Sequence, residues 1–226
     1  MLDKPWLLVG LFALGFLLPR IPVVGKFFNI INTALHEFGH ALMALLTGGS
    51  VRTIELFKDT SGTTTTQSSN RFTASLVSLA GYPFAASMSW LSFYLIENEV
   101  FAGLIIALGT LFLLMLILWI RNWYGALWVL LFCAINGYLL YLGNSTYLGW
   151  AALFYAIMIL TESISSTLVL LFLSLRCPKQ AGDATNLAKN TGIPAFIWGL
   201  IFLAYTAWVS YRVFLMLKPT LALILP

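Results

Sequence analysis

Charge is scarce in this chain. Of 226 residues, 12 are Lys or Arg and 8 are Asp or Glu, 9% in all, against roughly 25% in a soluble domain. Apolar residues make up 60%, and the mean hydropathy is +0.92. These values exclude a soluble globular enzyme and a disordered protein, and they indicate a polytopic membrane protein. The net charge of +4 is too small and too scattered for nucleic-acid binding, but it suits positive loops on one side of a bilayer. Cysteine is also scarce. Cys133 and Cys177 are too few for a disulfide framework and too far apart for a CxxC site, so both read as free thiols. No internal repeat and no interdomain linker is visible, so residues 1–226 read as one integral membrane domain.

What is there is a series of apolar runs. A span needs about 20 mostly apolar residues, and seven segments qualify: 6–24, 27–46, 72–96, 100–119, 122–142, 147–175 and 193–217. The expected fold class is therefore an all-α polytopic membrane protein with about seven transmembrane helices. Six is the alternative, because Pro19, Arg20 and Pro22 interrupt the first segment. The sequence Pro19-Arg20-Ile21-Pro22 lacks a small-residue cleavage site, so that segment reads as a retained span.

Two stretches break the apolar pattern. In 47–71, Val51, Ile54, Leu56 and Phe57 precede Lys58-Asp59-Thr60-Ser61-Gly62 and then Thr63-Thr64-Thr65-Thr66. The flanks are β-prone and the centre is turn-forming, which predicts a small β-hairpin. In 176–192, Ala184, Leu187 and Ala188 recur at helical spacing after Asp183, which predicts a short helix capped by Asp183. With the N-terminus in the cytoplasm, the inner loops hold Lys4, Arg52, Lys58, Arg71, Arg121, Arg176, Lys179 and Lys189. The outer loops hold Arg20, Lys26 and Lys218, and Arg212 snorkels near a span end. This bias supports seven spans in a plasma (inner) membrane, with the hairpin and the Asp183 loop on the cytoplasmic side.

The chemistry lies in the second span, which reads His36-Glu37-Phe38-Gly39-His40. Two His four residues apart on a helix share one face, so both imidazoles can hold one Zn²⁺. Glu37, beside that face, can take a proton from a metal-activated water and hand it to a leaving amine. His36 and His40 are the only two His in the chain. Shuffling this composition yields the motif in roughly 2 of 10,000 sequences. Within hydrocarbon each unpaired ionisable residue costs about 2.5–3.5 kcal/mol, so three such groups in five residues require a shared reason, and a metal supplies it. A catalytic zinc commonly takes a third protein ligand. Glu162 lies mid-span among Thr161, Ser163, Ser165, Ser166 and Thr167, with Asn136 as an alternative hydrogen-bonding partner, and Asp183 lies in the polar loop before the last span. Spacing does not choose between Glu162 and Asp183.

The sequence resembles the site-2 protease family of intramembrane zinc metalloproteases, in particular its short branch without PDZ or CBS domains. The resemblance rests on His36-Glu37-Phe38-Gly39-His40-Ala41, Gly48-Gly49, Ser61-Gly62-Thr63-Thr64, Ala80-Gly81-Tyr82 and Gly182-Asp183-Ala184-Thr185-Asn186-Leu187 leading to Thr191-Gly192-Ile193-Pro194. It implies that His36, His40 and Asp183 bind zinc and that Glu37 is the general base. Better-known members carry Leu-Asp-Gly at the Asp and place one span between the two motifs. Here Ala follows the Asp and four spans intervene, so Glu162 stays as the alternative third ligand.

The implied function is hydrolysis of peptide bonds in transmembrane or membrane-anchored substrates, near the cytoplasmic half of the bilayer. The expected partners are a transmembrane protein substrate and the lipid bilayer, with no nucleic acid. The strand 63–66 offers an edge on which an unwound substrate can add. The competing reading is a metal-binding transporter or a non-catalytic membrane scaffold, with His36 and His40 as a transport site and Glu162 as a relay. The sequence does not identify substrate-binding residues, the trigger or the oligomeric state.

Overall fold

A computed structural model of the protein describes residues 5–221. Asp3 and Lys4 lie outside the described residues. Helix α1 (Pro5–Leu17) runs into a single 3₁₀ turn (Leu18–Arg20). Then come α2 (Val24–Leu46), strands β1 (Ser50–Leu56) and β2 (Gly62–Gln67), and α3 (Arg71–Glu97). The chain continues through α4 (Phe101–Leu118), α5 (Trp123–Leu142), α6 (Ser145–Arg176), α7 (Gly182–Thr191) and α8 (Ala195–Leu221). The fold is mostly helical with one two-stranded hairpin, as the sequence pattern predicts.

Among the described residues, four helices are long and apolar enough to cross a membrane: α4, α5, α6 and α8 over Ala195–Leu217. The first expected span is shorter than predicted. The α-helix has 13 residues, about 20 Å at 1.5 Å per residue, because Pro19 falls in the 3₁₀ turn that follows and Pro22 comes soon after. Helix α2 differs from the four apolar helices. It has a polar stripe, and Asn29, Asn32, Glu37 and His40 on it are buried against other elements rather than lipid.

The core is α2, α3 and α6, which pack on one another, with α8 against α3 and α6. Helices α4 and α5 form a side pair. Phe112 packs edge-on against Trp128 and Phe132, and Phe132 meets Tyr155 of α6. Asn136 is engaged in this layer. It accepts from the Tyr155 hydroxyl and donates to the Phe132 carbonyl. Four helices separate α2 from α7 in sequence, yet α3 and α6 both touch α2 directly, so the α4–α5 pair does not push the two motifs apart.

The predicted hairpin forms, with Ile54 opposite Thr64 and Leu56 opposite Gly62. Ile54 and Leu56 are fully buried, which fixes the side of the strand that faces the bundle. The Asp59 carboxylate accepts from the Ser61 hydroxyl at 2.6 Å and the Ser61 N–H at 3.1 Å. These bonds close the turn and hold the Asp59 carboxyl below its usual range. The hairpin does not project from the bundle as a simple loop. A strand advances about 3.3 Å per residue, so β1 returns along α2, and the Thr33 hydroxyl of α2 donates to the Thr60 carbonyl at 2.7 Å. Lys58 sits over the Trp123 ring, and the positive charge of Lys26 favours the ionised Asp59. Lys26 and Lys58, expected on opposite faces of the membrane, therefore both lie near this turn.

The outer edge of β1 is covered. Ile54 N–H donates to the Trp119 carbonyl at 2.8 Å, and Arg121 N–H donates to the Ile54 carbonyl at 3.3 Å. The Asn122 amide then brackets Leu56, accepting from its N–H and donating to its carbonyl. Replacing Asn122 by Ala leaves both Leu56 groups without these partners, at a cost of about 1–3 kcal/mol. The expected outcome is a lower unfolding midpoint and faster amide exchange at Leu56 than at buried α2 positions. Unchanged exchange at Leu56 would show that the bracket does not hold the hairpin.

Candidate metal centre

The site begins with a close helix contact. An added Cβ at Gly39 of α2 would lie 2.8 Å from the Phe84 Cβ and 3.0 Å from the Ala80 carbonyl oxygen of α3. Glycine at this point lets the two backbones approach. Gly81 of α3 then faces the two imidazoles. A Cβ there would stand 2.5 Å from His36 Cε1 and 2.6 Å from His40 Nε2. The cradle for the histidines is thus a missing side chain. Tyr82 packs edge-on against His36, with ring centroids 4.5 Å apart.

Asp183 comes from the first turn of α7. It does not cap that helix as the sequence pattern predicts. Thr185 does the local work instead, accepting from the Ala181 N–H at 2.9 Å and donating to the Pro178 carbonyl at 2.7 Å. Gly182 takes a positive φ of 45°, which glycine tolerates and most residues do not. Ala184 and Leu187 bury against Leu170 and Phe202, and the Asp183 carboxylate turns towards α2. Its Oδ2 lies 3.2 Å from Nε2 of both His36 and His40.

These three donors suit a metal ion. His40 Nδ1 lies 2.7 Å from the Val77 carbonyl oxygen, which can only accept, so Nδ1 carries the proton and Nε2 of the neutral ring presents a lone pair. That lone pair faces His36 Nε2 at 2.9 Å and the carboxylate. Electron-rich atoms converging in this way need a positive species between them. Ligands bound to zinc at 2.0–2.1 Å in a tetrahedron lie roughly 3.3 Å apart, close to the 2.9 Å and 3.2 Å seen here. Two imidazoles and a carboxylate are a donor set that zinc accepts. Among the described residues, His36, His40 and Asp183 form the cluster able to hold a metal.

Glu37 is buried beside this centre. Its Oε2 accepts from the Thr64 hydroxyl of β2 at 2.7 Å. A Cβ on Gly62 would fall 2.6 Å from the other carboxylate oxygen. The hairpin therefore positions the carboxylate from above, through a hydroxyl and through a glycine that leaves it room. The sequence reading gave neither residue this task. The run of four threonines signalled a strand, but only its pairing with α2 reveals which hydroxyl meets Glu37.

A cavity of about 730 Å³ joins these parts. Its walls include α2 from Asn32 to His40, the inner end of β2, and α6 from Glu162 to Leu173, with Asp183 at one end. Glu162 shares this cavity but is not among the three residues whose donor atoms converge. Asn136, the expected alternative partner of Glu162, is instead bonded within the α5–α6 layer.

The sequence model of the Peptidase M50B-like family matches residues 7–213. No curated protein and no solved structure matches the chain. The match does not favour the transporter or scaffold reading. Replacing Gly81 by Ala forces the two imidazoles apart, and disturbing the supports of metal ligands typically weakens affinity about 10–100-fold. Purified Gly81→Ala should therefore carry less metal than the unaltered protein at equal free zinc. Full metal content would mean that the imidazoles have room to move.

Proposed function

The chain belongs to the Peptidase M50B-like family, within the site-2 proteases, and from that premise we propose that this integral membrane metallopeptidase is an intramembrane zinc endopeptidase. The observation that carries the proposal is the convergence of His36, His40 and Asp183 with Glu37 held beside them. His36 Nε2, His40 Nε2 and an Asp183 carboxylate oxygen would hold the zinc. A zinc ion held by this set would supply a Lewis acid for a substrate carbonyl and for the attacking water.

The chain's own groups do the rest. Glu37 is the general base: it accepts the proton of the attacking water and delivers it to the amine that leaves. The Thr64 hydroxyl points the carboxylate at that task and keeps one of its oxygens occupied. The Val77 carbonyl holds His40 in the tautomer that presents Nε2. Burial of Glu37 and His40 excludes bulk water from all but the open cavity.

The substrates of this reading are transmembrane or membrane-anchored segments. Seven helices would span the bilayer, α1 to α6 and α8, with the N-terminus, α7 and the open end of the hairpin on the cytoplasmic side. A helical segment must unwind before its carbonyls can be attacked, and β2 supplies an edge for the unwound chain. The opposite edge of the hairpin is already occupied by Trp119–Asn122. Gly62, Thr63, Thr64 and Thr66 of β2 line the cavity.

Glu37→Gln should keep its zinc and lose cleavage of a test transmembrane substrate by about 10²–10⁴-fold, the usual worth of a general base. Surviving cleavage would end the peptidase mechanism. Metal analysis of the purified protein separates the two candidate third ligands: Asp183→Ala should lose zinc, and Glu162→Ala should keep it. The reverse result would transfer the ligand role to Glu162. Thr64→Val should retain zinc and lower kcat with little change in KM, because it removes only the hydroxyl that orients Glu37.

A further inference from the structure

A second cavity, of about 550 Å³, lies behind the metal centre. Its size is that of a small-molecule site. Helix α7 stands between the two cavities. Gly182, Asp183 and Asn186 line the one that holds the metal ligands, whereas Thr185, Ala188 and Lys189 line the other. Helical spacing puts the second set on one face of α7, turned away from Asp183. The remaining walls are Ser174 of α6, the loop residues Pro178 and Lys179, and the start of α8 from Pro194 to Phe196.

Two lysines meet at this pocket, and neither has an ion-pair partner among the described residues. Lys189 stands in the last turn of α7, where a cation also suits the helix dipole. Lys179 lies in the loop, where no dipole accounts for it. The first turn of α8 adds Ala195 and Phe196, and the opening N–H groups of a helix favour an anion. Much of the rest of the wall is apolar, with Pro178, Ala188, Pro194 and the exposed Phe196 ring. A ligand that matches has one anionic end and an apolar body.

The level of the pocket identifies its source. Helices α6 and α8 are both candidate membrane spans. Helix α6 has 32 residues, about 48 Å at 1.5 Å per residue, well beyond a hydrocarbon core of about 30 Å. Ser174 belongs to its last turn, and α8 begins at Ala195. The pocket therefore sits where one span leaves the bilayer and the next enters it, at the level of lipid phosphates. Basic pockets between spans recognise anionic headgroups at that level.

We propose that this pocket binds the headgroup of an anionic phospholipid and so braces α7, the helix that brings Asp183 to the histidines. Lys179, Lys189 and the first turn of α8 hold the phosphate, and Phe196 meets the glycerol and the start of the acyl chains. Bracing follows from how α7 is attached. The Thr185 hydroxyl ties its start to the Pro178 carbonyl, and a phosphate between Lys179 and Lys189 joins the same loop to its last turn. A helix of 10 residues is too short to be stable alone, so this tie stiffens it. The site does not depend on the peptidase reading, and its test needs no cleavage.

The test uses full-length protein in nanodiscs of phosphatidylcholine, with or without phosphatidylglycerol. Lipid retained by the protein is counted by native mass spectrometry, and amide exchange is followed along α7. Phosphatidylglycerol should bind about tenfold or more tightly than phosphatidylcholine, the scale that two lysines supply at an anionic headgroup. Lys179→Gln with Lys189→Gln should abolish the preference, and Lys179→Arg with Lys189→Arg should keep it. Ala188→Phe, which fills the pocket and leaves both charges, should abolish it too. Phosphatidylglycerol should slow exchange across α7 in the unaltered protein and not in the Gln pair.

A preference that survives the Gln pair overturns the proposal. So does one that falls equally when Arg52 and Arg71 are changed to Gln instead, since general surface charge then explains it. Loss in the Arg pair shows that charge is not what the pocket reads, and it also counts against the site. Equal competition by inorganic phosphate makes the occupant a soluble anion rather than a lipid. Lipid binding without slower exchange in α7 overturns the bracing.

Discussion

The approach of α2 to α3 at Gly39 and Gly81 is the contact on which the centre depends. It brings the backbones together without a side chain between them, and it puts the Val77 carbonyl within reach of His40. A ligand pair on an isolated helix would have two free rotors and two undefined tautomers. Here Gly81 sets how far the rings can move, Val77 sets the proton of one, and Tyr82 flanks the other. Asp183 can then arrive from a short helix far along the chain, because the target it meets is already fixed. Preorganisation of this kind is what separates a metal site from three polar residues that happen to be close.

A second constraint comes from the hairpin. Strand N–H and C=O groups in an apolar bundle need protein partners or an open cavity. The two edges of the hairpin meet that need in different ways. The outer edge of β1 bonds to the residues between α4 and α5. The outer edge of β2 faces the cavity. The α4–α5 pair, which sits beside the α2–α3–α6 core, thus has a clear structural use: it closes an edge that would otherwise lie open.

Much of this was legible in the sequence, for physical reasons that differ by element. Apolar runs identified α4, α5, α6 and α8 directly, because lipid demands length and hydrophobicity together. The hairpin was legible because β-prone flanks surround a turn sequence. The spacing of His36 and His40 encodes a shared face, so their convergence followed from helix geometry alone. Asp183 was different. Its partners come from α2, some 145 residues earlier, and local propensity favoured a cap that Thr185 supplies instead. Residue spacing left Asp183 and Glu162 open, and the resemblance alone preferred Asp183. The path of the hairpin was not legible either. Lys26 and Lys58 belong to different loops in sequence, whereas the strand folds back along α2 and brings both near one turn.

In the peptidase reading, the two edges of the hairpin would also determine how a substrate is registered. Ile54 and Leu56 direct their N–H and C=O groups to Trp119–Asn122. Their cross-strand partners are Thr64 and Gly62, and the antiparallel pattern makes these residues direct their own backbone groups outward, to the cavity. Up to four backbone hydrogen bonds are available there, each contributing about 1 kcal/mol net. That is too little to drive the unwinding of a stable helix, but it is enough to choose one alignment of a chain that has already opened. Thr64 would be one of the two residues that set this alignment, and its hydroxyl also holds Glu37. In that reading a single residue would couple the position of the substrate backbone to the orientation of the base. A substrate shifted by one residue along β2 would present a side chain where the carbonyl should be, with Glu37 still aimed at the original place.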